Sequence, residues 1–441
     1  MANQNTLATS LSAFDAHHPP SDKIIDTCVH CGFCLPVCPT YVLWGQEMDS
    51  PRGRIYLMKL ASEGAAAISP RWVSHFDSCL GCMACMPACP SGVDYGKLIE
   101  ATRAQIERKH RRSIGEKLHR QFILSTFTRP DRLRLMRWPL LAYQKSGLQT
   151  LLRGTGALKL LPRKIQAMEA LLPNVSSSEA VAEVTPAQGQ KRLRVGLLLG
   201  CVQREFFPQV NAATARVLVA EGCEVIAPQE QTCCGALLVH AGEEEAALAL
   251  ARRTIEAFER ANVDIIVSNA AGCGSSVKEY GHLLRDDSQY AARAAQFAAK
   301  CKDVSEILVQ LEPRAARHPL RMRVAFHDSC HLQHAQGVRS QPRSVLSKIP
   351  DLDLLEIPES AICCGSAGIY NLVQPDTARE LGDRKAQLIV PLGADVIATG
   401  NPGCIMQLQS SMALAGQKTP VVHTIELLDA SIRGGKLDFL R

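Results

Sequence analysis

Downstream of residue 190, short runs of branched apolar residues alternate with longer stretches whose apolar positions return every three or four residues. The alternation predicts strands at 193–200, 223–227 and 263–268, with helices at about 208–221 and 243–260 between them. That order is the signature of βαβ units with a parallel sheet. The whole pattern then comes round again after about 130 residues. "RLRVGLLLGC" matches "RMRVAFHDSC", "CCGALLVHAG" matches "CCGSAGIYN", and "VDIIVSNAAGC" matches "ADVIATGNPGC". Duplication is the simplest reading, with one α/β repeat at 191–320 and a second at 321–441.

Upstream, the apolar period is helical. "SPRGRIYLMKLASEG" predicts a helix with Ser50 as N-cap and Pro51 at its first position. "YGKLIEATRAQIERKHRRSIGEKLHRQFIL" reads as helix from residue 95, and helical spacing continues intermittently to about Leu172, with Pro130, Pro139 and Pro162 breaking it into pieces. Residues 174–190, "NVSSSEAVAEVTPAQGQ", are small, polar and proline-bearing, and read as a linker. The predicted fold class is multidomain, α and α/β: a helical domain at 1–110, a basic helical connector at 111–173, the linker, and the two repeats.

At 441 residues and 46% hydrophobic content the chain can fill several cores. Its longest apolar runs, such as "VGLLLG" at 195–200, fall far short of the roughly 20 residues that cross a bilayer. The opening "MANQNTLATSLSAFDAHHPP" lacks the basic head and apolar stretch of a secretory leader, so a reducing cytosol is the expected compartment. There the 18 cysteines cannot be a disulfide frame, and metal ligation leads. Charge is uneven: residues 101–170 hold 16 Lys and Arg against 4 Asp and Glu, in a chain of net charge +6. The excess fits a docking face for an acidic partner, a contact for anionic lipid, or a solvated face. No recognition motif accompanies it, so nucleic acid is not expected as a partner.

Two cysteine runs carry the chemistry. "CVHCGFCLPVCP" at 28–39 and "CLGCMACMPACP" at 79–90 both fit C-x2-C-x2-C-x3-C-P, the two-cluster ferredoxin spacing. Three close cysteines wrap one corner of a cubane, and the fourth reaches the other cluster. This assigns Cys28, Cys31, Cys34 and Cys89 to one [4Fe-4S] cluster, and Cys79, Cys82, Cys85 and Cys38 to the second. Structural zinc favours separated cysteine pairs over a tight run of four. Gly32 and Gly81 keep the loops slim enough for backbone N–H groups to face the clusters.

The repeats hold eight more cysteines just past successive strand ends, where open α/β sheets place ligand sites. Cys201, Cys233, Cys234 and Cys273 form one set, and Cys330, Cys363, Cys364 and Cys404 the other. They are candidate ligands of an additional iron-sulfur cluster, or redox groups. Cys223 and Cys301 have no counterparts and read as ordinary buried cysteines. His327, His331 and His334 flank Cys330 without partners in the first repeat, and are candidates for a ligand or proton role. A dinucleotide fingerprint must follow a strand and open a helix, and the nearest glycine cluster, "RGTGALK" at 153–159, follows basic helical sequence instead. Hydride chemistry is therefore expected on another subunit.

Tandem ferredoxin runs followed by two CCG-type repeats resemble the iron-sulfur subunits of flavin-linked dehydrogenases, among them heterodisulfide reductase and the third subunit of anaerobic glycerol-3-phosphate dehydrogenase. "HCGFCLPVCPTYVLWGQEMDSPRGRIYLMK" with "CLGCMACMPACPSGVDYG" most resembles the glycolate oxidase iron-sulfur subunit. The resemblance implies an FAD-containing partner subunit that oxidises glycolate to glyoxylate, and electron transfer toward a quinone or other membrane acceptor. It implies a cytoplasmic protein, peripheral on the inner face of the cell membrane. Subunits acting on lactate or glycerol-3-phosphate, and a thiol/disulfide enzyme, are the alternatives within this plan. The heterodisulfide reductase repeat ends in C-x-x-C, and here Ser276 and Gln407 take the last position, which argues against disulfide chemistry.

Overall fold

The computed structural model describes residues 12–174 and 179–437. The start of the leader reading (1–11), the centre of the linker (175–178) and the last four residues lie outside the described residues. The described part of the first domain holds helices and no strand, with Pro39–Trp44, Pro51–Ser62, Pro70–Asp77 and Tyr95–Lys109 as its main helices and irregular chain through the cysteine runs. Local chemistry sets each start. Ser50 Oγ accepts from Gly53 N at 3.0 Å, Ser69 Oγ from Trp72 N at 3.3 Å and Asp94 Oδ1 from Lys97 N at 3.4 Å, and Pro51 and Pro70 occupy first-turn positions whose N–H would have no partner. Ile55, Met58, Phe76, Leu98 and Ile99 form the core between these helices.

The connector breaks as expected at Pro130 and Pro162, which start helices Pro130–Lys145 and Arg163–Ala170, but not at the third proline. Pro139 lies inside one helix, Pro130–Lys145, instead of dividing it. The carbonyl it frees, four residues back at Leu135, is on a 73% exposed residue, so solvent reaches it. A further break, not expected, falls at residues 110–113, between helices Tyr95–Lys109 and Ile114–Phe127. It lets Arg112 meet Asp77 at 2.8 Å, Glu107 at 2.7 Å and Glu116 at 2.5 Å.

Each repeat is an open parallel sheet. The first joins β1 (Val184–Thr185), β2 (Leu193–Leu198), β3 (Cys223–Ile226), β4 (Ile265–Ser268) and β5 (Cys301–Asp303) in the order β1-β3-β2-β4-β5. The second joins β6 (Met322–His327), β7 (Leu352–Glu356), β8 (Val396–Thr399) and β9 (Val421–His423) in the order β7-β6-β8-β9. Without β1 the two orders are the same, so the duplication extends to strand topology. Val195 pairs with Val225 and Ile265, and its counterpart Val324 with Leu354 and Val396. The central strands are apolar on both faces because helices cover both sides. Within the stretch read as linker, Val184 and Thr185 add an antiparallel edge to β3. Cys223 and Cys301 lie on buried strands of this sheet.

The first domain docks tightly on both repeats. Tyr370 Oη donates to Ser78 O at 3.0 Å, and Arg103 Nη1 donates to His240 O at 3.0 Å. A Cβ on Gly242 (φ +84°) would stand 2.4 Å from Arg103 O, so this turn touches the helix backbone directly. Glu100, 28% exposed, sits in the same seam. Burial, and then the Glu279 carboxylate, raise its carboxyl from 4.5 to about 8. A carboxyl raised on folding gives its full stability below the unfolded value and loses it as pH climbs toward the folded one. Glu100→Gln is therefore expected to flatten the fall in melting temperature between pH 5 and pH 8.5. An unchanged slope in thermal melts would remove Glu100 as its source.

Candidate metal centres

Cys28, Cys31, Cys34 and Cys89 line one small cavity, and Cys85 lines it too. Cys38, Cys79, Cys82 and Cys85 line a neighbouring one. The chain crossing follows from local turns: Cys38 N and Cys89 N each bond back three residues, to Leu35 O and Met86 O, and carry the fourth thiol away from its own run. Gly32 has φ +87° and Gly81 φ +62°. Gly81 N donates to Cys79 Sγ at 3.4 Å, and Arg52 Nη1 clamps the first loop by donating to His30 O at 3.0 Å.

The two quartets differ in setting. Cys31 is exposed, and Val29 and Phe33 beside it are also exposed. All four cysteines of the second quartet are buried. Leu80, Cys82 and Ala84 share an apolar cluster with Cys330, Ile362 and Cys363 of the second repeat. Arg54, 1% exposed, stands behind the second quartet and donates to His75 O at 2.5 Å, Ser78 Oγ at 2.9 Å and Thr40 Oγ1 at 3.1 Å.

Burial raises the Cys34 thiol to about 11 and lifts Cys28, Cys82 and Cys85 as well. At Cys79 burial pushes upward too, but the Arg54 and Arg103 guanidiniums outweigh it and the thiol lies below its ordinary value. Packing four thiolates around one small cavity therefore requires positive charge at its centre, which is the condition a metal cluster meets. The donor set fits iron-sulfur ligation.

The repeat cysteines also converge. Cys233 Sγ lies 3.5 Å from Cys201 Sγ. Hydrogen bonds from Cys233 and Cys273 hold the Cys234 thiol well below its ordinary value. In the second repeat Cys330 Sγ lies 3.9 Å from Cys363 Sγ, and His327, Cys364 and Cys404 bring ligand atoms within 4.8 Å of one another. Asn401 Nδ2 donates to Cys404 Sγ at 3.5 Å. Among the three candidate histidines, His327 and His331 face the cysteines, with His331 Nδ1 3.7 Å from Cys330 Sγ. His334 is turned away, its Nε2 paired with Ala361 O at 3.1 Å. Gln407, at the last position of the motif, spends its amide on Asn371 at 3.1 Å and Ala378 O at 3.0 Å.

Two residues escaped the sequence reading. His240 packs against His331 with ring centroids 4.8 Å apart and planes inclined at 57°, and Gln203, two residues past Cys201, is buried beside the first set. The signal for His240 was its place in the repeat: it aligns with Tyr370, which also faces the seam.

A family model described as the linker region of the glycolate oxidase iron-sulfur subunit matches residues 115–172. A cysteine-rich domain model matches 195–278 and 324–409, and a 4Fe-4S dicluster domain model matches 24–93. The chain is 39% identical to a probable glycolate oxidase iron-sulfur subunit of Bacillus subtilis, over 91% of this chain and 92% of that one. It is 38% identical to the glycolate oxidase iron-sulfur subunit of Escherichia coli, over 93% and 95%. A lactate utilization protein A of Exiguobacterium sp. is 30% identical over 54% of this chain and 98% of that one.

Proposed function

This chain belongs to the family of glycolate oxidase iron-sulfur subunits, and from that premise we propose that it relays electrons, one at a time, from a flavoprotein partner to a membrane acceptor. The partner, an FAD-containing dehydrogenase subunit, oxidises glycolate to glyoxylate. Glycolate is favoured over lactate because the two glycolate oxidase subunits match over nine-tenths of this chain at 38% and 39% identity, whereas the lactate utilization protein A matches over 54% of it.

Cys28, Cys31, Cys34 and Cys89 hold one [4Fe-4S] cluster, and Cys38, Cys79, Cys82 and Cys85 the other. Each cluster, when bound, takes up and releases a single electron, which is what divides a two-electron flavin product. Cys201, Cys233, Cys234, Cys273, Cys330, Cys363, Cys364 and Cys404 are the ligands available to further iron.

The observation that carries the direction of flow is the difference in setting between the quartets. Cys31, Val29 and Phe33 present the outer quartet to a docking partner. Cys82 abuts Cys363 and leads inward to the repeats. Around the inner quartet the apolar packing excludes water, and Arg54 supplies fixed positive charge that favours the reduced state. The test is reduction of the chain's own iron-sulfur signals by glycolate in the assembled complex, followed by electron paramagnetic resonance. Signals that stay oxidised while the partner's flavin is reduced would overturn the relay.

The connector supports attachment to the inner face of the membrane. Leu135, Trp138, Leu148, Leu151, Leu160 and Ile165 are all exposed there, among exposed Arg132, Lys145, Lys159 and Lys164. Helices Leu148–Thr155 and Arg163–Ala170 bury no residue. A purely solvated face has no need of so many large apolar side chains, whereas an anionic bilayer surface accepts both groups. Among the described residues no helix is long and apolar enough to cross a membrane.

A further inference from the structure

Between the two repeats and the connector lies a cavity of about 250 Å³. Seven cysteines line it: Cys201, Cys233, Cys234 and Cys273 from the first repeat, and Cys330, Cys363 and Cys404 from the second. Among the described residues no lysine, arginine, aspartate or glutamate does. The connector supplies the apolar part of the lining with Phe122, Phe127, Met136, Leu140, Met168 and Leu172. Phe122 and Met136 are themselves 51% and 41% exposed, so the apolar lining continues to the surface of the segment that faces the bilayer.

Polar handles are few, and three hold an atom with no hydrogen-bond partner among the described residues: Gln203, His331, and His240, whose Nδ1 lies 3.9 Å from Glu100. Gln203 is 1% exposed and neither its Nε2 nor its Oε1 has a partner among the described residues. His331, 8% exposed, has an Nε2 equally unpartnered among them. A buried amide or imidazole left without a partner costs about 1–3 kcal/mol, so such groups in a roomy cavity mark a ligand that pairs with them.

This chemistry selects its occupant. A hydroxy acid or a charged disulfide would enter without a cation to meet its carboxylate, and a dinucleotide would find nothing for its phosphates. The size is at the small end of ligand sites and suits a single substituted ring. Resting on the relay reading, we propose that this cavity is where the membrane acceptor is reduced, and that it takes the ring of a lipid-soluble quinone. The isoprenoid tail lies along the connector's apolar doorway, and the amide of Gln203 and the imidazole of His331 meet the ring carbonyls. Reduction of the ring takes two electrons and two protons from solvent and converts both carbonyls to hydroxyls; the clusters that the chain's cysteines would hold would supply the electrons one at a time. The electrons originate in the hydroxy acid oxidised on the partner.

The test is direct binding of decylubiquinone to the full-length chain, with Gln203→Leu and Leu172→Trp as variants. The first removes the amide at nearly constant volume, and the second fills the doorway side. Each is expected to raise the Kd at least tenfold. Failure of the wild-type chain to bind, or wild-type affinity in both variants, overturns the site. A photoreactive azidoquinone on the wild-type complex guards against folding defects. Label in 168–173 or 201–206 supports the proposal, and label confined to the first domain or the partner subunit overturns it. The relay reading is scored separately, by glycolate reduction of the clusters without quinone. Quinone binding with these dependences stands even where that reduction fails.

Discussion

Cys82→Ser is expected to lower glycolate-driven reduction of the acceptor by more than about 100-fold, beyond what changes to the residues around metal ligands cause. The partner's flavin should still be reduced by substrate in a single turnover. Cys82 is buried and packs in one apolar cluster with Cys330 and Cys363, so its loss removes a proposed inner ligand at the junction between the first domain and the second repeat. Stopped-flow spectra separate the two events, with flavin bleaching retained and onward transfer lost. Wild-type turnover with the membrane acceptor in this variant would end the relay account.

Arg54→Met is expected to cost about 3–5 kcal/mol of stability, the usual penalty when one member of a buried ion pair is removed. The guanidinium is the hub of a buried network, with Asp49 Oδ1 at 3.5 Å, Ser78 Oγ at 2.9 Å and His75 O at 2.5 Å. Methionine fills the space but leaves Asp49 without its guanidinium and takes a donor from His75 O, Ser78 Oγ and Thr40 Oγ1. Losing the cation beside Cys79 and Cys38 also disfavours added negative charge, so the midpoint potential of the inner site should move in the negative direction. Denaturant unfolding and redox titration measure the two effects. An unmoved potential would assign Arg54 to the scaffold alone.

Much of this architecture could be read from residue types and spacing. The two ferredoxin runs announce a dicluster domain because C-x2-C-x2-C-x3-C-P has few competing uses. The repeats declare themselves because parallel strands buried on both faces are continuous apolar runs. The misses have physical causes. The helix break before Ser113 was marked by "SIGE", a capping-box spacing hidden inside strongly helical sequence. Pro139 persists within a helix because its surroundings are exposed, which proline rules do not see. Strands β5 and β9 are three residues each, too short for a period to register. The idle amide of Gln203 depends on three separate segments meeting, and no local pattern reports such a meeting.

The outermost thiol, Cys31, stands at the surface while the inner quartet is sealed. Accessible thiolates and the iron they hold are the first to meet dioxygen. Under the proposed relay, protein handled in air is therefore expected to lose its entry point first and to keep a well-folded, half-loaded interior, brown in colour yet deaf to its donor. Loss of activity on ageing is then a failure of input, repaired by rebuilding one centre without unfolding the chain.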